Sequence, residues 1–138
     1  MAAKNDGPEI SGREITISRD YDAPLSLVWK AWTEPAHLAQ WWGPNGFSIT
    51  TFEFNFRPGG IWRFLMHGPD GRDWANRVTF REIVPHKKLV YDHGGEGADK
   101  GIQFHVTVTF AEKAGRTNVT MRSVFPTKEE LDKVVREN

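Results

Sequence analysis

The polar side chains that could carry out acid–base catalysis are spread along the chain rather than grouped in a motif. Five are candidates: His67, Asn76, Asp92, His93 and His105. Imidazole titrates near neutral pH and a carboxylate can orient it. Asp92 and His93 are adjacent, however, and adjacent residues of a strand point to opposite faces of a sheet, which argues against a simple dyad. The sequence therefore favours solvated or structural roles for these side chains and predicts no catalytic residue.

The sequence also gives little indication of a site that would bind a metal, a phosphate or a carboxylate. The five histidines show no HExxH spacing and no pair on one face, so no metal and no cofactor is predicted. Residues 94–97 lack the strand-to-helix context of a phosphate loop and are interpreted as a mobile connection, with a lid beside a cavity as the alternative. Arg63 or Arg77 could bind a ligand carboxylate, although nearby acidic residues favour ion pairs on a solvated surface.

The aromatic content is the feature that most favours a binding site. Aromatic residues make up 12% of the chain, with six Trp and nine Phe, and each such side chain buries about 150–250 Å². Either the core or a pocket must therefore be aromatic. Ten side chains are predicted to line a cavity: Trp41, Trp42, Phe54, Trp62, Phe64, Trp74, Phe80, Tyr91, Phe104 and Met121. Ordinary packing is the favoured alternative for Trp41, whereas Trp42 is expected to face outward or toward a cavity mouth.

Composition narrows the possible classes of protein. A chain of 138 residues suits one domain, predicted over residues 14–138 after a flexible segment of residues 1–13. Eighteen basic residues balance eighteen acidic ones, which disfavours nucleic acid as a partner. The absence of Cys excludes thiolate nucleophiles and disulfides. Without a signal peptide or a run of roughly 20 apolar residues, we expect a cytoplasmic protein that has no membrane partner.

The order of predicted elements indicates an α+β fold. Residues 14–21 alternate as a strand, and two short helices follow, the second beginning at Pro35 and ended by Gly43-Pro44. Six strands come next, and Phe52, Phe54 and Phe56 are expected to share one face of the first of them. A final helix begins after Thr127. These elements predict one curved antiparallel sheet of about seven strands whose concave face is covered by the helices.

Several segments, in the same order, resemble a known superfamily. They are Tyr21-Asp22-Ala23-Pro24 with Val28-Trp29, Trp32-Thr33-Glu34-Pro35 with Leu38, Trp41-Trp42-Gly43-Pro44, Arg57-Pro58-Gly59-Gly60 with Trp62, and Glu82-Ile83-Val84-Pro85 with Leu89. Together they look like the START-like (SRPBCC) superfamily, and more narrowly its bacterial branch related to the C-terminal domain of the activator of heat-shock-protein-90 ATPase. The resemblance covers residues 14–138 and implies a helix-grip fold, in which the sheet wraps a C-terminal helix around a mostly apolar cavity.

The resemblance implies more about fold than about activity. Members bind lipids, hormones or polyketides, and some are cyclases or dehydratases. We therefore expect binding of a small hydrophobic or aromatic molecule, and the alternatives are a cavity enzyme (cyclase, dehydratase or hydrolase) or a chaperone-associated interaction protein. The resemblance implies a longer last helix than this sequence provides, which raises the hypothesis that the helix is incomplete. Apolar sheet left uncovered by a short helix would favour a homodimer.

Overall fold

A computed structural model describes residues 9–96 and 103–137, and within these ranges the chain forms eight strands and three helices. In chain order they are β1 (Glu9–Ser11), β2 (Glu14–Tyr21), α1 (Leu25–Thr33), α2 (Pro35–Trp41), β3 (Ser48–Phe54), β4 (Ile61–His67), β5 (Asp73–Val84), β6 (Lys88–Gly95), β7 (Phe104–Lys113), β8 (Arg116–Val124) and α3 (Lys128–Glu137). A pair of short helices thus separates the first long strand from a run of six strands, as the sequence predicts.

All eight strands belong to one antiparallel sheet with the order β1-β2-β8-β7-β6-β5-β4-β3. Strands β3 to β8 follow one another as a meander, and β2 then pairs with β8 along its whole length. Strand β1 is additional to the seven predicted strands and lies within residues 1–13, the segment predicted to be flexible. It turns back onto β2 through Gly12, whose φ of 59° suits a residue without Cβ. This curved, unclosed sheet with its helices confirms the predicted α+β, helix-grip architecture.

The strand register sorts the side chains onto two faces. Trp62 lies opposite Val78 in the β4–β5 pair, and Tyr91 lies opposite Val106 in the β6–β7 pair. All four are buried, and we call the face that carries them the inner face. Residues at alternate positions, such as Arg77, point to the other side, which we call the outer face. The apolar core therefore lies on one side of the sheet.

The two short helices cover part of the inner face. In α1, Val28 and Trp29 are buried, and the Trp29 ring lies 5.1 Å from that of Phe110 on β7. Glu34 has an extended backbone, as expected for the residue before a proline, so α1 ends there and Pro35 begins α2. This break makes the corner that the sequence predicts.

The C-terminal helix begins with a side-chain cap. The Thr127 hydroxyl accepts a hydrogen bond of 3.1 Å from the backbone N–H of Glu130, and Glu129 and Glu130 place acidic groups in the first turn. Leu131 is completely buried, which fixes the start of α3 on the body of the protein. In the part of the chain that the structure describes, no helix is long and apolar enough to cross a membrane.

A β-bulge corrects one expectation about β3. Phe52 is 58% exposed, whereas Phe54 and Phe56 pack against the core, so the three side chains do not share a face. The reason is a register shift between Thr51 and Glu53, which makes Phe52 the extra residue of the strand.

Candidate functional site

An aromatic cluster on the inner face centres on Trp42. Its ring centroid lies 4.8 Å from that of Trp62, 6.2 Å from Phe64 and 6.4 Å from Tyr91. The rings of Trp62 and Phe64 are stacked with centroids 4.2 Å apart. Four of the ten predicted cavity residues are therefore brought together here. We refer to these four residues, with His93 and Phe104 described below, as the aromatic cluster.

Trp42 is half-buried and packs against the core rather than facing outward, and Trp41 is the exposed member of the pair. Helix α2 ends at Trp41, and Trp42 has an extended backbone with φ of −69° and ψ of 138°. The two side chains thus leave the chain in different directions, and Trp42 turns inward. Trp41 is 42% exposed, lies edge-on to Trp32 and donates from Nε1 to the carbonyl of Ala31 at 2.9 Å. The Trp41 ring also lies 5.4 Å from that of Trp42, so Trp41 braces the helical corner and packs against the exposed side of the cluster.

His93 and Asn76 place a polar pair inside this apolar environment. His93 Nε2 lies 3.1 Å from Asn76 Oδ1, and the His93 ring lies 6.0 Å from both Trp42 and Phe64 and 5.0 Å from Phe104. Burial lowers the pKa of His93 to about 4, although the residue keeps some contact with solvent. The imidazole is therefore neutral at neutral pH.

The hydrogen bonds of Asn76 determine which nitrogen of His93 carries the proton. Asn76 Nδ2 donates to the carbonyl of Trp74 at 3.0 Å, which assigns Oδ1 as the atom facing His93. Nε2 of the neutral ring is then the donor. Nδ1 is left as an acceptor, and among the described residues no donor pairs with it. The site therefore offers one hydrogen-bond acceptor to a bound molecule.

Tyr91 and Phe104 complete the walls around this acceptor. Tyr91 is 4% exposed, and burial raises the pKa of its phenol well above the ordinary value, so the group stays protonated. Phe104 is half-buried and stacks on Phe125 with centroids 4.8 Å apart. The cluster thus combines apolar aromatic surface with one polar acceptor.

The remaining predicted cavity residues lie at other positions. Phe54 and Phe80 pack on each other at 5.9 Å, and Phe54 contacts Trp62 at 5.8 Å, so they extend the cluster into the core. Met121 is a partly buried residue packed against the core from β8. Trp74 is 41% exposed and lies under the guanidinium of Arg72, 4.4 Å from the ring centroid, outside the cluster.

The other polar candidates lie on the outer face or at a hairpin. Asp92 accepts hydrogen bonds from Arg81 at 2.7 Å and shares a contact of 2.6 Å with His105. Burial would raise the pKa of Asp92, but the hydrogen bonds from His105 and Arg81 outweigh it and hold the pKa below its usual value. Asp92 and His93 thus occupy opposite faces, as alternation predicts. His67 instead bridges Thr50 and Asp73 beside the β4–β5 hairpin.

Arg63 and Arg77 do not reach the aromatic cluster. They are cross-strand partners, and both donate from Nε to the carboxylate of Glu96 at 3.0 Å. Both side chains therefore lie on the outer face, and their contacts with Glu96 agree with the ion pairs expected on a solvated surface.

Gly94 and Gly95 are strand residues rather than part of a loop. Gly94 pairs with Arg77, and Gly95 with Asn76, at the end of β6. A Cβ on Gly94 would lie 2.5 Å from the Gln103 side chain, so the missing side chain lets Gln103 lie over the strand. Gly97, the last residue of the predicted loop, lies outside the described residues.

A match to a family model and matches to solved structures both support the fold. The family model described as "Activator of Hsp90 ATPase homolog 1-like protein" matches residues 22–138. No curated protein matches the sequence.

Among solved structures, a protein of Arthrobacter aurescens has a TM-score of 0.89 at 27% identity, covering 97% of this chain and 82% of that one. A protein of Rhodobacter sphaeroides has a TM-score of 0.82 at 25% identity, with 94% and 84% covered. A protein of Mycobacterium smegmatis, at 23% identity, has a TM-score of 0.81 with 99% and 85% covered. These matches confirm the resemblance to the START-like superfamily. The chain belongs to the family of Activator of Hsp90 ATPase homolog 1-like proteins.

Proposed function

We propose that this protein binds a small, largely apolar molecule at the aromatic cluster, and that a hydroxyl or N–H group of the molecule donates a hydrogen bond to Nδ1 of His93. The observation that carries the proposal is the neutral His93–Asn76 pair held between Trp42, Phe64 and Phe104. Small-molecule sites commonly combine apolar walls with a few fixed polar groups.

The hydrogen bonding of the pair supports a binding role. Asn76 occupies Nε2 of His93, whereas Nδ1 is not among the buried polar atoms that lack a partner in the described residues, so a ligand donor can reach it in place of water. A ligand donor at Nδ1 would give both ring nitrogens of His93 a hydrogen-bond partner. The fold supports the same conclusion, because proteins with this fold commonly bind hydrophobic ligands.

A matched pair of ligands tests the proposal. 4-Propylphenol can donate a hydrogen bond, whereas 4-propylanisole has nearly the same shape and cannot. We expect calorimetric titration to show the phenol binding roughly tenfold more tightly, since one hydrogen bond contributes about 1–1.5 kcal/mol. In His93→Phe that preference should disappear.

Trp74→Phe is the matched control, because Trp74 is also a predicted cavity residue but is 41% exposed beneath Arg72, outside the cluster. It should leave both affinities unchanged. Equal affinity of the wild-type protein for the two compounds would overturn the assigned role of His93. Binding of neither compound would overturn the binding site itself and favour the protein-interaction alternative suggested by the family description. Cytoplasmic localisation and a homodimer stay predictions from the sequence.

A further inference from the structure

The outer face of the sheet carries an open groove of about 1340 Å³ that runs across β4 to β8. Small residues among its lining, Ala75, Thr79 and Gly94, leave space between longer side chains. Val124 and Phe125 form an apolar end. The aromatic cluster contributes only Phe104 to the lining, so the groove is a separate feature on the opposite side of the sheet.

Cationic groups dominate this groove. Five arginines line it: Arg13, Arg63, Arg77, Arg81 and Arg122. Two lining carboxylates, Asp92 and Glu96, face them. Glu53 and Glu14, which are not lining residues, pair with Arg63 at 3.8 Å and with Arg122 at 2.7 Å. A positive charge excess therefore remains along the groove even though the whole chain has a formal net charge of zero.

Three of these arginines use only the Nε side of the guanidinium for their hydrogen bonds to described residues. Arg77 donates from Nε to Glu96, Arg81 from Nε to Asp92, and Arg122 from Nε to Glu14. Among the described residues, the Nη amino groups of these three arginines make no hydrogen bond. Each side chain is about half exposed, at 50%, 54% and 54%, so the Nη groups are open to a ligand.

Arg77 shares its carboxylate partner with Arg63, which also contacts Glu53 at 3.8 Å. The two arginines are direct cross-strand partners, and the carboxylate that they share, that of Glu96, is 18% exposed. Like charges placed opposite each other on a sheet repel. An added anion beside Arg77 would relieve this repulsion.

We propose that the groove binds a small organic molecule bearing two or more anionic groups, phosphates or carboxylates, through the Nη groups of Arg77, Arg81 and Arg122. Arg77 and Arg81 lie four residues apart on β5, roughly 13 Å along the strand, so they can contact separate anionic groups. The carboxylate of Asp92 lies between the arginines and disfavours an unbroken phosphate backbone such as that of a nucleic acid. This site is independent of the aromatic cluster.

Pyrophosphate, inorganic phosphate and citrate are suitable probes, titrated by calorimetry at constant low ionic strength with chloride as the background anion. We expect pyrophosphate to bind more tightly than inorganic phosphate, because it carries more negative charge and more acceptor oxygens for the Nη groups. Tighter binding of citrate than of pyrophosphate would identify carboxylates as the natural groups.

Two variants at different positions locate the site. Arg77→Gln and Arg81→Gln should each weaken pyrophosphate binding about tenfold, since a hydrogen bond to a charged group contributes about that much. Arg116→Gln is the matched control, because Arg116 has the same charge and a side chain 55% exposed but does not line the groove. Its affinity should stay within about twofold of the wild type.

Circular dichroism and thermal midpoints establish that each variant is folded, and the two variants provide independent tests. Equal weakening by Arg116→Gln and the groove variants would overturn the proposal, because it would indicate a nonspecific charge effect. Absence of pyrophosphate and citrate binding by the wild-type protein would overturn it as well. Binding of 4-propylphenol should be unchanged in both groove variants. This result would show that the groove and the aromatic cluster bind their ligands separately.

Discussion

At the scale of single residues, His93 is the side chain whose chemistry depends most on the fold. Its neighbours are aromatic rings and one amide, and these replace the water that would stabilise an imidazolium. The same surroundings that make Nδ1 an acceptor therefore penalise protonation of the ring. A function based on a neutral imidazole has a measurable consequence for stability.

We predict that the free energy of unfolding decreases as the pH falls from about 6.5 to about 4. The ordinary pKa of histidine is 6.5, and that of folded His93 is about 4. Between these values the unfolded chain takes up a proton that the folded protein does not, so the loss is complete only below the lower value. The contribution is at most roughly 3 kcal/mol.

Urea unfolding at a series of pH values checks this prediction. His93→Gln keeps a neutral hydrogen-bonding group beside Asn76 but removes the titration, so its stability should fall less than that of the wild type over this range. Comparing the two proteins cancels the contributions of the other histidines. Identical pH profiles would show that His93 is accessible enough to be protonated in the folded state.

At the scale of elements, irregularities in the strands decide which side chains reach the site. Hydrophobic alternation and the capping residues are enough to predict the helical corner, the six-strand meander and the cap at Thr127. They cannot locate a bulge, because a bulge depends on the pairing of two strands. The extra residue at Phe52 turns that side chain to solvent, and the end of α2 turns Trp42 inward.

A second register shift, between Phe80 and Glu82, places Asn76 and His93 on the same face, and the sequence does not predict this shift. Asn76 and His93 are separate candidates in the sequence, and counting back from the hairpin without this bulge gives a register that differs by one residue. Such a slip moves every side chain to the opposite face. The sequence therefore identifies Asn76 and His93 as candidates, but it does not predict the hydrogen bond between them.

Two tryptophans predicted as cavity wall should differ greatly in their contribution to stability. Trp62 is 2% exposed, whereas Trp74 is 41% exposed. We expect Trp62→Ala to cost roughly 3–5 kcal/mol and Trp74→Ala less than about 1 kcal/mol. Chemical denaturation of both variants checks this difference. Comparable losses would mean that Trp74 packs more tightly than its exposure indicates.

At the scale of the whole molecule, the sheet separates two kinds of chemistry. Its inner face is aromatic with one polar pair, and its outer face carries ion pairs and the arginine-lined groove. Because alternate residues of the same strands supply both faces, a single sheet can offer an apolar site and an anion-binding site without a second domain. The family match indicates the fold that makes this division, and the particular side chains determine what each face can bind.

Binding of a ligand at the aromatic cluster is tested most directly by the side-chain N–H signals of the six tryptophans. We would record them by two-dimensional ¹H–¹⁵N NMR, assigned by Trp→Phe variants, while adding 4-propylphenol. The proposal predicts shifts for Trp42 and Trp62, with little change for the exposed Trp74. Shifts confined to Trp74, or no shifts at saturating ligand, would contradict it.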